Sequence, residues 1–167
     1  MDEIRTERLL LRKARKEDLA AMHRILSDAR AMRYWSSLPH ESLEQTREWL
    51  AEMIAAPEGG GCDFIVELNG ELIGKCGAYR LPEIGYILHP DHWGRGYATE
   101  AMIAVIGHIF GRFEVPALRA DIDPRNEASI RLLERLGFTF THRAERTWLL
   151  GEEWCDSVYY ELNRPTI

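Results

Sequence analysis

The feature that most restricts the fold of this chain is the stretch Glu83 to Phe113. Ile84-Gly85-Tyr86-Ile87-Leu88 has the length and apolar character of a short strand, Ala101 to Phe113 reads as a helix, and Ala98, Met102, Val105, Ile106, Ile109 and Phe113 fall at helical spacing. Between them runs His92-Trp93-Gly94-Arg95-Gly96-Tyr97-Ala98-Thr99-Glu100. A strand that turns through glycines into a helix leaves several backbone N–H groups unpaired at the helix start. Those donors and the helix dipole make a site for an anion, most often a phosphate. Gly94 and Gly96 lack a Cβ and so allow unusual backbone angles and close approach of a ligand. Taken alone, a tight turn that needs glycine explains the pattern equally well.

The rest of the chain sets this junction in a mixed α/β architecture. Arg5 to Arg12, with Leu9-Leu10-Leu11, reads as a first strand. Lys16 to Ser27 puts Leu19, Met22, His23 and Leu26 on one helical face, and Arg30 to His40 is a linker carrying Tyr34, Trp35 and Pro39. Ser42 opens a second helix with Gln45 three residues on, a reciprocal capping pair; Pro57 and Gly59-Gly60-Gly61 end it. Strands follow at Asp63–Leu68, Glu71–Leu81 and Glu83–Leu88. The first two are joined by an Asn69-Gly70 hairpin turn, and Pro82 interrupts the ladder after the second. After the glycine turn and its helix come a strand at Leu118–Ile122, a turn ending in Asn126 as helix cap, and a short helix Glu127–Leu136 closed by Gly137. Two strands, Phe138–Leu150 and Glu153–Leu162, join near Gly151. The order β-α-α-β-β-β-α-β-α-β-β implies one domain over residues 1–167, of the α/β (α+β) class, with a mixed central sheet of about seven strands and helices on both faces.

Composition narrows the function classes. A net charge of −6 argues against nucleic acid or anionic lipid as partner. The early basic residues Arg5, Arg8, Arg12, Lys13, Arg15 and Lys16 alternate with Glu3, Glu7, Glu17 and Asp18, which reads as a solvated face. No apolar run approaches membrane-spanning length, and the N-terminal residues resemble neither a secretory signal nor a transit peptide. Cys62, Cys76 and Cys155 are far apart and odd in number, and His89 and His92 lie across a Pro-containing turn without further ligands nearby. No metal site is expected, and a reducing cytoplasm is.

Three phosphate-binding readings compete. A Walker loop needs Gly-Lys-Ser/Thr, which the chain lacks; Gly74-Lys75-Cys76 comes nearest and falls inside a strand. A dinucleotide fingerprint is matched by Gly94 and Gly96 but has Thr99 at its third position; Asp121 stands at a suitable distance for a ribose, yet few strand–helix repeats follow. The third reading rests on resemblance. Glu83-Ile84-Gly85-Tyr86-Ile87-Leu88-His89-Pro90, followed by Trp93-Gly94-Arg95-Gly96-Tyr97-Ala98-Thr99-Glu100-Ala101, resembles the acetyl-CoA-binding core of the GNAT N-acetyltransferase superfamily, and more narrowly its RimJ/RimL branch. Asn126-Glu127-Ala128-Ser129-Ile130 running to Leu133-Glu134-Arg135-Leu136-Gly137-Phe138 resembles the second core motif. The opening Thr6-Glu7-Arg8-Leu9-Leu10-Leu11-Arg12 and the closing Gly151-Glu152-Glu153-Trp154 fit the branch as well. Asp91 and Trp93 depart from the superfamily pattern Arg/Gln-x-x-Gly-x-Gly/Ala, a variation typical of the branch.

The resemblance implies a transferase that moves an acetyl group from acetyl-CoA to a primary amine, such as a protein N-terminus or a small amine, by direct attack. A homodimer is a family-level expectation. The CoA pyrophosphate would rest on the amides of Gly94, Arg95, Gly96, Tyr97, Ala98 and Thr99, with the pantetheine arm paired like an added strand to Ile87 and Leu88. Asn126 and Ser129 would lie near the thiol end, Asn126 also being a sound helix cap. Arg135 is read as solvated rather than as a partner of the adenosine phosphate. Glu83 is either the base that takes the amine proton or an exposed strand-end carboxylate. A backbone N–H near Leu88 would meet the oxyanion, and Ser129 would protonate the thiolate ahead of Tyr159 or Tyr160. Tyr34 and Trp35 are candidates for the acceptor pocket, with plain packing as their other reading; Trp148 and Trp154 share that ambiguity. A non-catalytic acyl-CoA-binding protein on the same scaffold is the alternative.

Overall fold

The computed structural model describes residues 3–56 and 62–166. In chain order its elements are β1 (Ile4–Arg5), β2 (Leu9–Arg12), a 3-10 turn (Lys16–Asp18), α1 (Leu19–Leu26), α2 (Leu43–Ala55), β3 (Cys62–Leu68), β4 (Glu71–Arg80) and β5 (Glu83–Leu88). A second 3-10 turn (Pro90–His92) leads to α3 (Tyr97–Arg112), β6 (Ala117–Ile122), α4 (Glu127–Arg135), β7 (Thr139–Leu150) and β8 (Glu153–Asn163). The sheet has eight strands rather than about seven, in the order β1-β2-β3-β4-β5-β6-β8-β7. The extra strand arises because the first run is broken at Thr6–Arg8: Thr6 N–H turns back to the Leu9 carbonyl (2.9 Å), and the Arg8 N–H donates to Glu100 rather than to a strand.

Local sequence accounts for most boundaries. Ser42 Oγ accepts from the Gln45 N–H while Gln45 Oε1 accepts from the Ser42 N–H, so α2 begins where the capping pair places it. The Pro57 and Gly59–Gly61 terminator lies outside the described residues. Asn69 (φ 52°) and Gly70 (φ 82°) both take the left-handed conformation that a two-residue hairpin requires. β4 is buried from Leu72 to Ala78, as a central strand covered on both faces must be. α3, with Ala101, Met102, Val105 and Ile109, packs with Phe64, Cys76 and Leu88 on one face. α1 and α2 cover Ile65, Leu72 and Ile87 on the other, through Met22, Ile25, Leu26 and Met53.

The expected solvated face of basic residues does not hold for Arg12. Arg12 is buried in a bidentate pair with Asp18 (2.7 and 2.9 Å), and its Nε lies 3.0 Å from Glu67. Alternating charge in sequence becomes pairing in space here, because Lys13 to Arg15 fold Asp18 back over β2. Arg8 is exposed as expected, though it pairs with Glu100 at the start of α3.

One feature of the sheet positions the site. β5 and β6 are its parallel pair, and they meet at a single ladder position, Glu83 opposite Arg119. Beyond it the strands part, so the β6-facing edge of β5 from Ile84 to Leu88 has no ladder partner among the described residues, while the opposite edge pairs with β4. A sheet with this one parallel pair is not the doubly wound parallel sheet that a dinucleotide fold needs.

Candidate active site

At the C-terminal end of β5 the chain turns through Pro90–His92, and Trp93 donates its indole N–H to the Leu88 carbonyl (3.0 Å). That bond fixes the turn to the strand and gives Trp93 a structural role. Gly94 (φ 74°) and Gly96 (φ 79°) both hold backbone angles that a side chain would strain. Gly96 is the N-cap of α3 and supplies no side chain to it. The first helical bond runs from the Glu100 N–H to the Gly96 carbonyl (3.0 Å), so the N–H groups of Tyr97, Ala98 and Thr99 have no partner within the helix. The helix therefore begins four residues before Ala101, the start read from sequence, and takes in Ala98, which already lay on its apolar spacing. Gly94, Arg95 and Gly96 are exposed, leaving the mouth of this turn open.

A first-turn carboxylate, Glu100, would oppose an anion at this place, yet its charge is engaged on the side of the N-terminal segment. Thr6 Oγ1 (2.5 Å), the Arg8 N–H (2.9 Å) and Arg8 Nε (2.7 Å) all donate to it. Burial pushes the Glu100 carboxyl up, but these donors outweigh it and hold it below the usual carboxylate range. Arg8 also donates to the Arg95 carbonyl (2.9 Å) and lies 4.5 Å over the Tyr97 ring. Sequence reasoning quoted Thr6 and Arg8 as part of a motif without giving them a task. The signal that could have found it is a basic residue set against an acidic first turn in a distant segment.

The sequence-derived candidates around the parting of β5 and β6 divide into those brought together and those kept apart. Glu83 is exposed at the first position of β5, opposite Arg80 and Arg119 in the two ladders. Ile87 and Leu88 present the unpaired edge that an added strand would use. Ser129 is buried on α4, with its N–H given to the cap oxygen of Asn126 (3.3 Å) and its Oγ 2.8 Å from the Tyr86 hydroxyl. Tyr86 was not among the expected site residues, yet it spans the split from β5 to α4. Burial pushes its phenol up, against the hydrogen bond shared with Ser129 and the charge of Arg135, so it stays protonated near neutrality. Tyr159 and Tyr160 are occupied elsewhere: Tyr159 stacks on His142 (4.4 Å), and Tyr160 donates to Glu134 (3.4 Å). Trp154 sits against the Arg146 guanidinium (4.9 Å), and Trp148 pairs across to Cys155 in the β7–β8 hairpin.

Tyr34 and Trp35 separate. Tyr34 lies against the guanidinium groups of Arg33 (4.9 Å) and Arg125 (5.7 Å). Trp35 lines a cavity of about 220 Å³ between α2 and the sheet, with Trp49, Glu52, Met53, Asp63, Lys75 and Tyr79. Inside it Lys75 donates to Asp63 (2.7 Å), and both side chains are buried. Burial pushes the Asp63 carboxyl up, against the pull of Lys75. No group of three or more His, Cys, Asp or Glu side chains suited to a metal is found among the described residues.

Comparison with known proteins gives the family and the fold. Residues 8–139 match the model of the acetyltransferase (GNAT) domain. An uncharacterised N-acetyltransferase, p20, of Bacillus licheniformis is 31% identical over 83% of this chain and 83% of its own length. Spermidine N(1)-acetyltransferase of Escherichia coli K12 is 29% identical over 89% of this chain and 82% of its own. Among solved structures, RimL, a ribosomal L7/L12 α-N-protein acetyltransferase in complex with coenzyme A, superposes with a TM-score of 0.86 at 20% identity, covering 97% of this chain and 98% of that one.

Proposed function

Because this chain belongs to the GNAT acetyltransferase family, whose members use acetyl-CoA, we propose that it transfers the acetyl group to the nitrogen of a primary amine at the split between β5 and β6. The observation that carries this reading is the set of N–H groups at Tyr97 to Thr99 without a partner in α3, which stands at the end of the same strand whose open edge runs from Ile84 to Leu88. The pyrophosphate fits those donors, and the pantetheine amides fit the free edge at Ile87 and Leu88.

In this reading the amine nitrogen forms a bond to the thioester carbonyl carbon and the carbon–sulfur bond breaks. Glu83, directly or through water, takes the proton the amine must lose, which requires no nucleophilic triad. A backbone N–H beside Leu88 meets the developing oxyanion. Ser129 gives the departing thiolate its proton, and the Tyr86 hydroxyl, hydrogen-bonded to Ser129 Oγ and held protonated by burial, replenishes it. A spermidine acetyltransferase among the relatives and a ribosomal L7/L12 α-N-protein acetyltransferase among the structural neighbours support an amine acceptor, small or peptidyl.

A thiol-release assay with acetyl-CoA over a panel of amines and N-terminal peptides tests the reading, alongside calorimetric titration with CoA and NAD. Turnover with at least one amine and binding of CoA alone are expected. CoA binding without turnover of any amine would make the protein a sensor on the same scaffold, and absence of CoA binding would remove the reading.

A further inference from the structure

The cavity under α2 lies on the face of the sheet that Glu83 shares. Ile87 belongs to the α1–α2 cluster, and alternation along β5 carries Gly85 and Glu83 to that same face. Asp63 pairs with Gly77 and Gly77 with Gly85, two residues from Glu83. By sheet spacing, the backbone at Asp63 is about 12 Å from that at Glu83, with Tyr79 in between. The walls are Trp35, Trp49 and Tyr79, and the charges are Asp63, Glu52 and Lys75, a formal sum of one negative charge.

Lys75 satisfies Asp63 Oδ2, whereas buried Asp63 Oδ1 makes no hydrogen bond of good geometry, the Phe64 N–H being the donor close to the carboxylate. Lys75 already stands 5.8 Å from the Trp35 ring and 5.6 Å from the Trp49 ring, so these walls suit a cation. Glu52 is exposed at the mouth and is not neutralised by the pair inside. A second carboxylate, an unsatisfied acceptor and aromatic walls together ask for a donor carrying positive charge on a slim apolar stem. A peptide N-terminus offers no second cation at a fixed distance.

We infer that this cavity is a second ammonium subsite, and that the acceptor is an α,ω-diamine or polyamine whose reacting amine lies at Glu83 while its distal ammonium is held between Glu52, Asp63 and the two tryptophans. The assignment rests on the transferase reading above for the position of the reacting amine, but the subsite binds by itself and is testable without turnover.

Steady-state kinetics would compare 1,5-diaminopentane with n-pentylamine, and both with an uncharged N-terminal peptide. The expected kcat/KM ratio of diamine to monoamine is about tenfold, what ~1.4 kcal/mol of charge and cation–π attraction gives. The difference should lie in KM. Glu52→Gln lowers the ratio and Glu52→Lys brings it to about one or below, by opposing the distal charge. Glu52 is exposed on α2, so neither change disturbs the core. A wild-type ratio near one, a ratio indifferent to both Glu52 changes, or preference for the peptide would overturn the subsite.

Tryptophan fluorescence keeps the two readings apart, since Trp35 and Trp49 line the cavity. With CoA present, 1,5-diaminopentane should give a saturable change that n-pentylamine does not and that Glu52→Lys abolishes. If that holds while no amine is acetylated, the transferase reading fails and the subsite stands; if no such change appears, the subsite fails whatever the turnover.

Discussion

At the scale of the residue, Glu83 has the position but not the burial of a tuned base. It stands exposed at the only ladder contact between the parting strands. A base so placed works by geometry, taking a proton from an amine already held nearby, so its removal should not touch cofactor binding. Glu83→Gln is expected to lower kcat by about 10²-fold, the lower end for a positioned general base, with CoA affinity unchanged by calorimetry. Rising pH should recover part of the loss, because the fraction of neutral amine grows without the enzyme's help. Full turnover of the variant at every pH would remove the assignment. The partner on the leaving side was harder to see. Ser129 could be named because it sits in the second motif that carries the family resemblance, whereas Tyr86 reads in sequence as one more apolar strand position. Only the meeting of β5 with α4 brings its hydroxyl to 2.8 Å from Ser129.

At the scale of the element, the start of α3 is assembled from two distant segments. Turn chemistry and glycine spacing made the strand, the turn and the helix legible, together with caps such as Ser42 and Asn126, because each is decided within a few residues. The pairing of Thr6 and Arg8 with Glu100, across more than ninety positions, was not, since no local rule links them. The burial of Arg12 went unread for the same reason. The pairing has a functional consequence. With Arg8→Ala, the Glu100 carboxylate loses its counter-charge beside the turn proposed to hold the diphosphate, and the Arg95 carbonyl loses its donor. The KM for acetyl-CoA should rise by about tenfold while kcat changes little, since charge-assisted bonds set the loop and not the chemistry. Lysine at the same position restores charge but not the fork, and should recover only part. An unchanged KM would show that the turn holds itself.

The α1–α2 pair carries a second consequence at this scale. Thr46 Oγ1 is buried between His23 Nδ1 (2.7 Å) and His40 Nδ1 (2.8 Å). Burial, and then the neighbouring His23, hold His40 below its ordinary value. A histidine with a depressed folded pKa leaves the unfolded chain binding more protons, so its contribution to stability is present above the unfolded value, about 6.5, and declines as pH falls below it. Thermal stability should therefore fall from pH 7 to pH 5, before ordinary carboxylates titrate, and His40→Gln should flatten that slope. An equal slope in the variant would move the effect elsewhere.

At the scale of the whole molecule, the sheet is two sets of strands, β1–β5 and β6–β8, that touch at one ladder position and are otherwise joined through the core beneath α3. That arrangement keeps the β5 edge open, at the cost of ladder bonds that a closed sheet would have made. A ligand paired to β5 and seated on α3 fills the gap between the two sets, and its binding free energy then adds to folding. At a hundred times its Kd, acetyl-CoA should stabilise the native state by about 2.7 kcal/mol. For a chain of this size that is a rise of roughly 5–10 °C in Tm. The distribution of the gain is the sharper test. Hydrogen exchange should slow not only at Ile87, Leu88 and Tyr97 to Thr99 but across the split in β6 and the start of α4, because opening either side would release the ligand. Protection confined to the α3 turn would mean that the cofactor rests on one half alone, and the pantetheine position assigned to the β5 edge would have to be given up.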